Sequence, residues 1–453
     1  MKNNVEDIQL YPCEEMADDT NRIQEAIETA WRNGCRVVIH RGNYSVGTVN
    51  LYSGTRLVLL KGCRIVGSDE TEKYTVKEYC HQSKKNYWQS IFFAQNADGI
   101  SVTGEGQIEG QGERFPYGLE AFSADDKESC PVNEYKIRPS LFYFKNCSNI
   151  EIKNIILRDA AQFAVLIEES EDIVVSGVEI YNRKNYNTDG LHFSENKRIH
   201  IDGCKLDCGD DAIVLNRYAQ DVRISRCVIS SRWAGVRIGP FSDGRFEDIE
   251  ISDCKIHHTY GCGIKIQMGQ GGIIRNVWVH RIRMEKVTGP VHIRLCHFPG
   301  WEECYERNSP GRIEEILIED MEAEVVSSPS PGEHEVPGEM GEYYSCMHIQ
   351  GVKEQKIRKV RWANCNIVYE GGYMEDSYQP HLTEEIDNRY PEYFLYGIMP
   401  CYAMYAAYVE ELELENVHFS LKKPDIRVPF IVDKVDVSKW NHVVAKGAGD
   451  ESV

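Results

Sequence analysis

The sequence predicts an all-β protein that folds as a single right-handed parallel β-helix, a solenoid of stacked coils. Three observations predict it. A pair of apolar-x-apolar segments recurs along the chain, a second series of apolar segments lies between the copies, and the spacing of the copies is nearly constant. Coils built from short strands at such a period are typical of this architecture.

The main repeat reads apolar-x-apolar, two residues, apolar-x-apolar. Its central copies are separated by steps of 23, 26, 23, 27 and 28 residues, and they open at Ile150, Ile173, Ile199, Val222, Ile249 and Val277. Alternation within each half predicts strands with one buried face, and the two residues between the halves suit a bend. The second series opens at Phe163, Gly190, Ala212, Gly235, Gly263 and Pro290. Leucine-rich repeats have a similar period, but their recurring Leu/Asn signature is absent from the sequence.

We predict one domain over residues 1–453, with a helix at 18–34 that caps the N-terminal end. Asn21 and Gln24 form a capping pattern, Gly34 ends the helix, and the apolar residues at helical spacing are Ile23, Ile27 and Trp31. Regular coils fill 37–295. Later copies of the repeat follow at steps of 39, 44 and 52 residues, which predicts coils with long insertions over 296–425 and a C-terminal tail at 426–453.

Composition and charge restrict the partners. The 453 residues include 51 Lys+Arg and 71 Asp+Glu, so the formal charge of −20 opposes binding to nucleic acid and to anionic membranes. No apolar run approaches the roughly 20 residues that cross a bilayer. The opening residues 1–7 lack the apolar core of a signal peptide, so we expect a cytoplasmic protein. The sequence leaves the oligomeric state open, with a homo-oligomer among the options.

The 16 cysteines contain no Cys-x-x-Cys pair of zinc or thioredoxin type. Cys204, Cys227, Cys254 and Cys365 share one slot of the repeat, so we predict an interior stack of thiols that acts as core filler. His257 and His258 are not accompanied by a cysteine or carboxylate at zinc-ligand spacing. We therefore predict no metal ion and no cofactor.

Three aspartates in adjacent coils carry the strongest chemical signal: Asp189 in Asn187-Thr188-Asp189-Gly190, and Asp210 with Asp211 in Cys208-Gly209-Asp210-Asp211-Ala212. Aligning the strands that follow puts Asp189 and Asp211 in one slot of neighbouring coils, about one strand spacing apart, and aims Asp210 differently. Carboxylates so close cannot all ionise cheaply, so at least one should have a raised pKa. Either motif alone also suits an ordinary turn. Together they provide the protonated acid and the ionised carboxylate that glycoside cleavage requires.

With these motifs the chain resembles the polygalacturonase-like glycoside hydrolases, family 28 of the pectin-degrading β-helix enzymes. The matching segments also include 18–27, 104–112, Tyr390-Pro391-Glu392 and 412–417. The resemblance implies hydrolysis with inversion, in which Asp210 is the general acid and Asp189 and Asp211 hold and deprotonate water. The predicted strand register separates the same pair from Asp210.

Two segments depart from the family pattern. The usual Gly-His-Gly reads Trp233-Ala234-Gly235, so the histidine beside the aspartates is missing. The usual Arg-Ile-Lys, which grips a substrate carboxylate, reads Lys265-Ile266-Gln267. The three aspartates therefore match the family pattern, whereas the basic residues around them differ from it.

Basic residues are predicted on the same face of the coils as the aspartates. Arg237, Lys265 and His292 occupy one slot of successive strands, and Arg294 follows two residues after His292. The predicted substrate-binding residues are Asn187, Trp233, Arg237, Lys265, Gln267, His292 and Arg294. Alternatively, the cations neutralise the aspartates or form a solvated face. Trp233 is the first candidate for stacking on a sugar ring, followed by Tyr186, Tyr260 and Trp301.

The sequence thus predicts a metal-independent glycoside hydrolase that acts on a pectin-like or other uronate or plant-derived oligosaccharide. Two alternatives stay open. One is a β-helix enzyme of another reaction type, such as a calcium-dependent uronate lyase or a fructosyl transferase. The other is a non-catalytic carbohydrate-binding protein.

Overall fold

The computed structural model describes residues 6–13, 18–75, 78–79, 87–115, 138–240, 244–269, 271–298, 311–329, 341–375 and 389–449. The chain divides into two compact units, residues 1–210 and 211–453. In each unit short strands stack in parallel from one coil to the next, which confirms the predicted right-handed parallel β-helix. That the whole chain is a single domain stays a prediction.

The first unit contains helix α1 at Thr20–Asn33 and nineteen strands in chain order. The strands are β1 Ile8–Leu10, β2 Val37–Ile39, β3 Gly42–Val46, β4 Val49–Leu51, β5 Arg56–Leu59, β6 Cys63–Gly67, β7 Glu78–Tyr79, β8 Tyr87–Trp88, β9 Ser90–Gln95, β10 Asp98–Gly104, β11 Gln107–Glu109, β12 Ser140–Lys145, β13 Ser148–Lys153, β14 Ile156–Arg158, β15 Val165–Glu168, β16 Glu171–Ser176, β17 Glu179–Asn182, β18 Leu191–Asp202 and β19 Lys205–Cys208. Only β7 and β8 form an antiparallel pair among the strands described in this unit.

The second unit continues the pattern with longer strands. They are β20 Ile213–Ser225, β21 Val228–Ser231, β22 Val236–Ile238, β23 Arg245–Ser252, β24 Lys255–Thr259, β25 Ile264–Met268, β26 Ile273–Val287, β27 Val291–Leu295, β28 Arg312–Val325, β29 Met347–Gln350, β30 Ile357–Tyr369, β31 Cys401–Leu421 and β32 Val428–Lys446. The predicted C-terminal tail thus contains β32, which pairs in parallel along β31.

The register of the strands confirms the repeat read from the sequence. In the first unit Ile150 lies beside Ile173, and Ile173 beside Ile199. The second unit stacks one apolar residue per coil, in the order Val222, Ile249, Val277, Ile316, Val360 and Leu412. All of these side chains are buried, so the repeat forms the core of each unit.

The bend between the two halves of the repeat has the same backbone conformation in the copies described. Its second residue is left-handed, with φ between 51° and 61° at Asn154, Gly177, Gly203, Arg226, Asp253, Arg281, Asp320, Asn364 and Asn416. The residue that follows it faces inward, and at Cys227, Cys254 and Cys365 it is a buried thiol. Twelve of the 13 cysteines described are buried, as expected for core filler.

The cap helix differs from the prediction at its start. Helix α1 begins at Thr20 and its N-cap is Asp19, so the predicted capping role of Asn21 is wrong. The Gln24 side chain instead accepts from the Asn50 backbone N–H at 2.8 Å, which ties the helix to β4. Gly34 ends the helix in the left-handed region, as predicted. Trp31 is 49% exposed rather than packed inward.

Other predictions fall outside the described residues. Most of the insertion expected between coils at 327–344 lies there, and so does Trp301. Among the residues described, no helix is both long and apolar enough to span a membrane.

Candidate active site

In the first unit Asp189 lies in the loop between β17 and β18, and the side chain of Asn182 fixes that loop. The amide nitrogen of Asn182 donates to the carbonyl oxygens of Gln162 at 2.8 Å and of Asp189 at 3.0 Å. Asp189 is 4% exposed, and its Oδ2 lies 2.6 Å from Nδ1 of His192. The ring of Phe163 stacks on that imidazole with centroids 4.5 Å apart.

His192 was not predicted as a functional residue, although it lies in the apolar segment that opens at Gly190. The available signal was the spacing, because a residue three positions after Asp189 on the following strand can turn back toward the loop. His192 is also only 7% exposed, and a buried polar side chain needs a hydrogen-bond partner, which the carboxylate provides.

Asn187 is oriented by Arg138, a second residue that sequence reasoning missed. The Arg138 guanidinium donates to Asn187 Oδ1 at 3.3 Å and to the Asn187 and Tyr186 carbonyls at 3.2 and 2.6 Å. Asp210 is partly exposed, and its backbone N–H donates to the Thr188 carbonyl at 3.3 Å. The loops that carry Asp189 and Asp210 are therefore linked through the backbone.

In the second unit two groups hold the Asp211 carboxylate. Its Oδ1 accepts from the backbone N–H of Ala234 at 2.8 Å, and its Oδ2 lies 2.8 Å from Nε of Arg237. Ala234 stands where the family pattern has a histidine, and it contacts the carboxylate through its backbone N–H. Burial raises the pKa of Asp211, and the Arg237 charge offsets only part of that effect.

The predicted alignment of the cations is confirmed. Arg237 pairs in register with Lys265, and Lys265 with His292. The same row continues through His348 to Tyr405, and Gln267 lies beside Arg294. The strands of the second unit thus present one row of basic and aromatic side chains.

This row is covered by the segment Tyr390–Tyr396, which ends in a 3₁₀ turn at Tyr393–Tyr396. Glu392 is the central residue of the contact: it accepts from Trp233 Nε1 at 3.0 Å and pairs with Arg237 and Lys265. Lys265 also lies 2.9 Å from Glu342. The sequence analysis quoted Glu392 only as part of a family motif and did not identify either glutamate as a partner of the cations.

The buried cluster Asp211, Arg237, Lys265, Glu342 and Glu392 holds three carboxyl groups and two cations. Burial opposes ionisation of Glu392, but the flanking Arg237 and Lys265 lower its pKa to about 2. Burial raises the pKa of Glu342, as it does for Asp211. Two positive charges offset two carboxylates, so the third carboxyl group keeps a proton more readily than in water.

Gln267 and His292, two other predicted binding residues, hold the covering segment through Pro391. The Pro391 carbonyl accepts from Gln267 Nε2 at 2.5 Å and lies 3.1 Å from His292 Nε2. Burial lowers the pKa of His292 well below its ordinary value, so this imidazole is neutral. Lys265, Gln267, His292 and Arg294 are at most 1% exposed. Their direct contact with a substrate stays a prediction.

Trp233, the predicted stacking platform, is 8% exposed and packs within the same cluster. Lys265 Nζ lies 4.3 Å from its ring centroid, and the ring of Phe394 meets it edge-on at 5.9 Å. Tyr260 is 7% exposed. Stacking of a sugar on either ring stays a prediction.

The carboxyl groups do not form a metal-binding set in the part of the chain that the structure describes. No group of three or more His, Cys, Asp or Glu side chains could hold an ion there. The charges of Arg237 and Lys265 occupy the space between the carboxyl groups of the second unit.

Known proteins are similar to this chain in sequence. The chain is 24% identical to Polygalacturonase-2 of Solanum lycopersicum over 336 residues, which covers 71% of the chain and 69% of that protein. It is 24% identical to a polygalacturonase of Persea americana over 316 residues, which covers 66% of the chain and 63% of that protein.

Two solved structures show the same fold. The Family 28 exopolygalacturonase of Yersinia enterocolitica has a TM-score of 0.63 at 14% identity and covers 99% of this chain and 79% of that one. A hyperthermoactive exopolygalacturonase from Thermotoga maritima has a TM-score of 0.67 at 15% identity, with 91% of each chain covered. The sequence profile of Glycosyl hydrolases family 28 matches residues 49–377, and the chain belongs to that family.

Proposed function

We propose that the protein hydrolyses an O-glycosidic bond of a pectin-like oligosaccharide with inversion at the anomeric carbon. The observation that carries the proposal is the state of Asp211. This carboxyl group of the family's Gly-Asp-Asp motif is buried, held by the Ala234 N–H and Arg237, and has a raised pKa. The polygalacturonase relatives support a pectin-like substrate.

In the proposed reaction Asp210 protonates the oxygen of the leaving sugar as the glycosidic bond breaks. Asp189 and Asp211 orient one water molecule and accept its proton while its oxygen bonds to the anomeric carbon. A general base works best when its pKa approaches the working pH, and burial moves the pKa of Asp211 in that direction. The partial exposure of Asp210 suits a group that must reach the leaving oxygen.

The charge pattern of the second unit bears on the roles of the cations. Lys265 lies between Glu342 and Glu392, and Arg237 lies between Glu392 and Asp211. Their charges are compensated within the chain. We therefore assign to Arg237 and Lys265 the task of holding Asp211 and the segment Tyr390–Tyr396, rather than of gripping a uronate carboxylate.

The proposal is tested by removing one carboxylate at a time. Asp189→Asn, Asp210→Asn and Asp211→Asn should each lower kcat on defined pectic oligosaccharides by at least about 10²-fold, because acid-base groups contribute that much. Asp221→Asn is the matched control, since Asp221 is an exposed aspartate of the second unit and should leave kcat unchanged. Full activity of the Asp210 variant, or no hydrolysis of any pectic oligosaccharide by the wild type, would contradict the proposal.

A further inference from the structure

We propose that His192 is a positioning residue for Asp189: its imidazole fixes the rotamer of the carboxylate that receives the proton of water. The inference rests on the proposed function, in which Asp189 is half of the water-binding pair. Its basis is geometric. His192 Nδ1 and Asp189 Oδ2 are 2.6 Å apart, and the two residues are 7% and 4% exposed.

The histidine ring is itself held in place. His192 lies beside Leu166 of the preceding coil, and the Phe163 ring stacks on the imidazole at an interplanar angle of 20°. Phe163 and Leu166 belong to a buried cluster with Phe93 and Tyr143. A packed ring of this kind cannot turn away from the carboxylate without disturbing its neighbours.

The backbone at Asp189 is held by hydrogen bonds from Ala164 and Asn182. Its carbonyl oxygen accepts from the Ala164 backbone N–H at 3.0 Å and from Asn182 Nδ2 at 3.0 Å. The same Asn182 amide donates to the carbonyl of Gln162, the residue before Phe163. Phe163, His192 and Asp189 are therefore tied together both through side chains and through the backbone.

The contact has a defined chemical consequence. An ionised carboxylate only accepts hydrogen bonds, so Nδ1 must carry the proton in this pair. A donor fixed by packing therefore holds Oδ2 and sets the orientation of the carboxylate. Small errors in the placement of a reacting group are costly in rate, so the orientation of this carboxylate matters for turnover.

A histidine that only fills space in the core would give the same burial, and paired variants separate the two roles. His192→Phe keeps the aromatic shape against Phe163 and removes the donor. His192→Asn loses the ring but keeps an N–H donor near the position of Nδ1. For a positioning residue, we expect the Phe variant to lose about 10- to 100-fold in kcat with KM little changed, and the Asn variant to recover most of that loss. A packing residue predicts the reverse order, with the Phe variant active and the Asn variant impaired.

Two further measurements keep failure of the inference separate from failure of the proposed function. Thermal unfolding should show that both variants fold. In NMR spectra of the full chain, we expect a strongly downfield Nδ1–H resonance that disappears in His192→Phe and in Asp189→Asn. Persistence of that resonance in Asp189→Asn, or an active wild type whose His192→Phe variant keeps its kcat, would overturn the role of His192. Absence of hydrolysis by the wild type would instead refute the proposed function and leave the imidazole-carboxylate contact measurable.

Discussion

Glu392 forms two of the four ion pairs of the second unit's charge cluster. It meets Trp233, Arg237 and Lys265, and its pKa is lowered to about 2 by the two cations. A buried ion pair is not in itself strong evidence of stability, because desolvation opposes it. Removing Glu392 is different, since Arg237 and Lys265 then lose the carboxylate that they share. The remaining carboxyl groups, Asp211 and Glu342, must ionise against the effect of burial to compensate the two cations.

We therefore expect Glu392→Gln to lower the free energy of unfolding by roughly 3–5 kcal/mol at neutral pH. Denaturant unfolding would measure the change, and Glu410→Gln, at an exposed position on β31, is the control. A loss no larger than that of the control would contradict the assigned role of Glu392.

The loss of stability caused by Glu392→Gln should depend on pH in a direction that the pKa of Glu392 sets. The folded pKa of Glu392, about 2, lies below the ordinary value of 4.5, so its ionisation stabilises the fold fully above about pH 4.5. That contribution is lost as the pH falls toward 2. The difference in stability between wild type and Glu392→Gln should therefore shrink across this window, and a difference that stays constant would count against the pKa shift.

Sequence reasoning succeeded at the residue scale where the strand period decides the answer. It aligned Arg237, Lys265 and His292, because residues in one slot of successive coils must fall in one row. It could not find what faces them. Glu392 lies 127 residues after Lys265 and 159 after Trp233, and no local pattern connects residues that far apart. His192 was missed for another reason, since its role depends on a side-chain direction.

At the scale of elements, the left-handed residue in each bend is the feature that lets one strand follow another within a coil. Glycine adopts that conformation without strain, and Asn and Asp tolerate it better than other residues. The sequence showed this as a recurring pair of turn residues. The pattern of the cap helix was less informative, because Asn21 and Asp19 are both ordinary capping residues. Gln24, the other half of the predicted capping pattern, contacts Asn50 instead.

Gly203 isolates this backbone effect. Its φ is 61°, and a Cβ added there would meet no heavy atom within 4 Å. Gly203→Ala should therefore destabilise the protein by about 1–2 kcal/mol through backbone strain alone. Gly203→Asn, the residue that other coils use in this slot, should cost less. Thermal unfolding of the two variants checks the order, and equal stability of Ala and Asn would contradict the explanation.

At the scale of the whole molecule, the fold was predictable because the solenoid repeats one local rule many times. The C-terminal strand was missed because β32 is largely exposed and carries no clear alternation. The family followed from the fold together with its aspartate motifs. Reaction and substrate depend on the few residues that depart from the repeat.

The charge balance of the second unit predicts an enzyme that works without a metal ion. Arg237 and Lys265 already pair with the carboxyl groups of this cluster, and their positive charges oppose binding of a further cation there. We expect hydrolysis to continue at an unchanged rate after dialysis against a chelator, with saturated sugars as the products. Loss of activity that calcium restores, together with unsaturated products, would favour the lyase alternative.

The most direct test of the central claim is the anomeric configuration of the first product. Proton NMR of a reaction mixture, recorded before mutarotation, distinguishes direct attack of water from a covalent glycosyl-enzyme intermediate. The three-aspartate account predicts that the new reducing end appears with the configuration opposite to that of the cleaved bond. A product that first appears with retained configuration would contradict it.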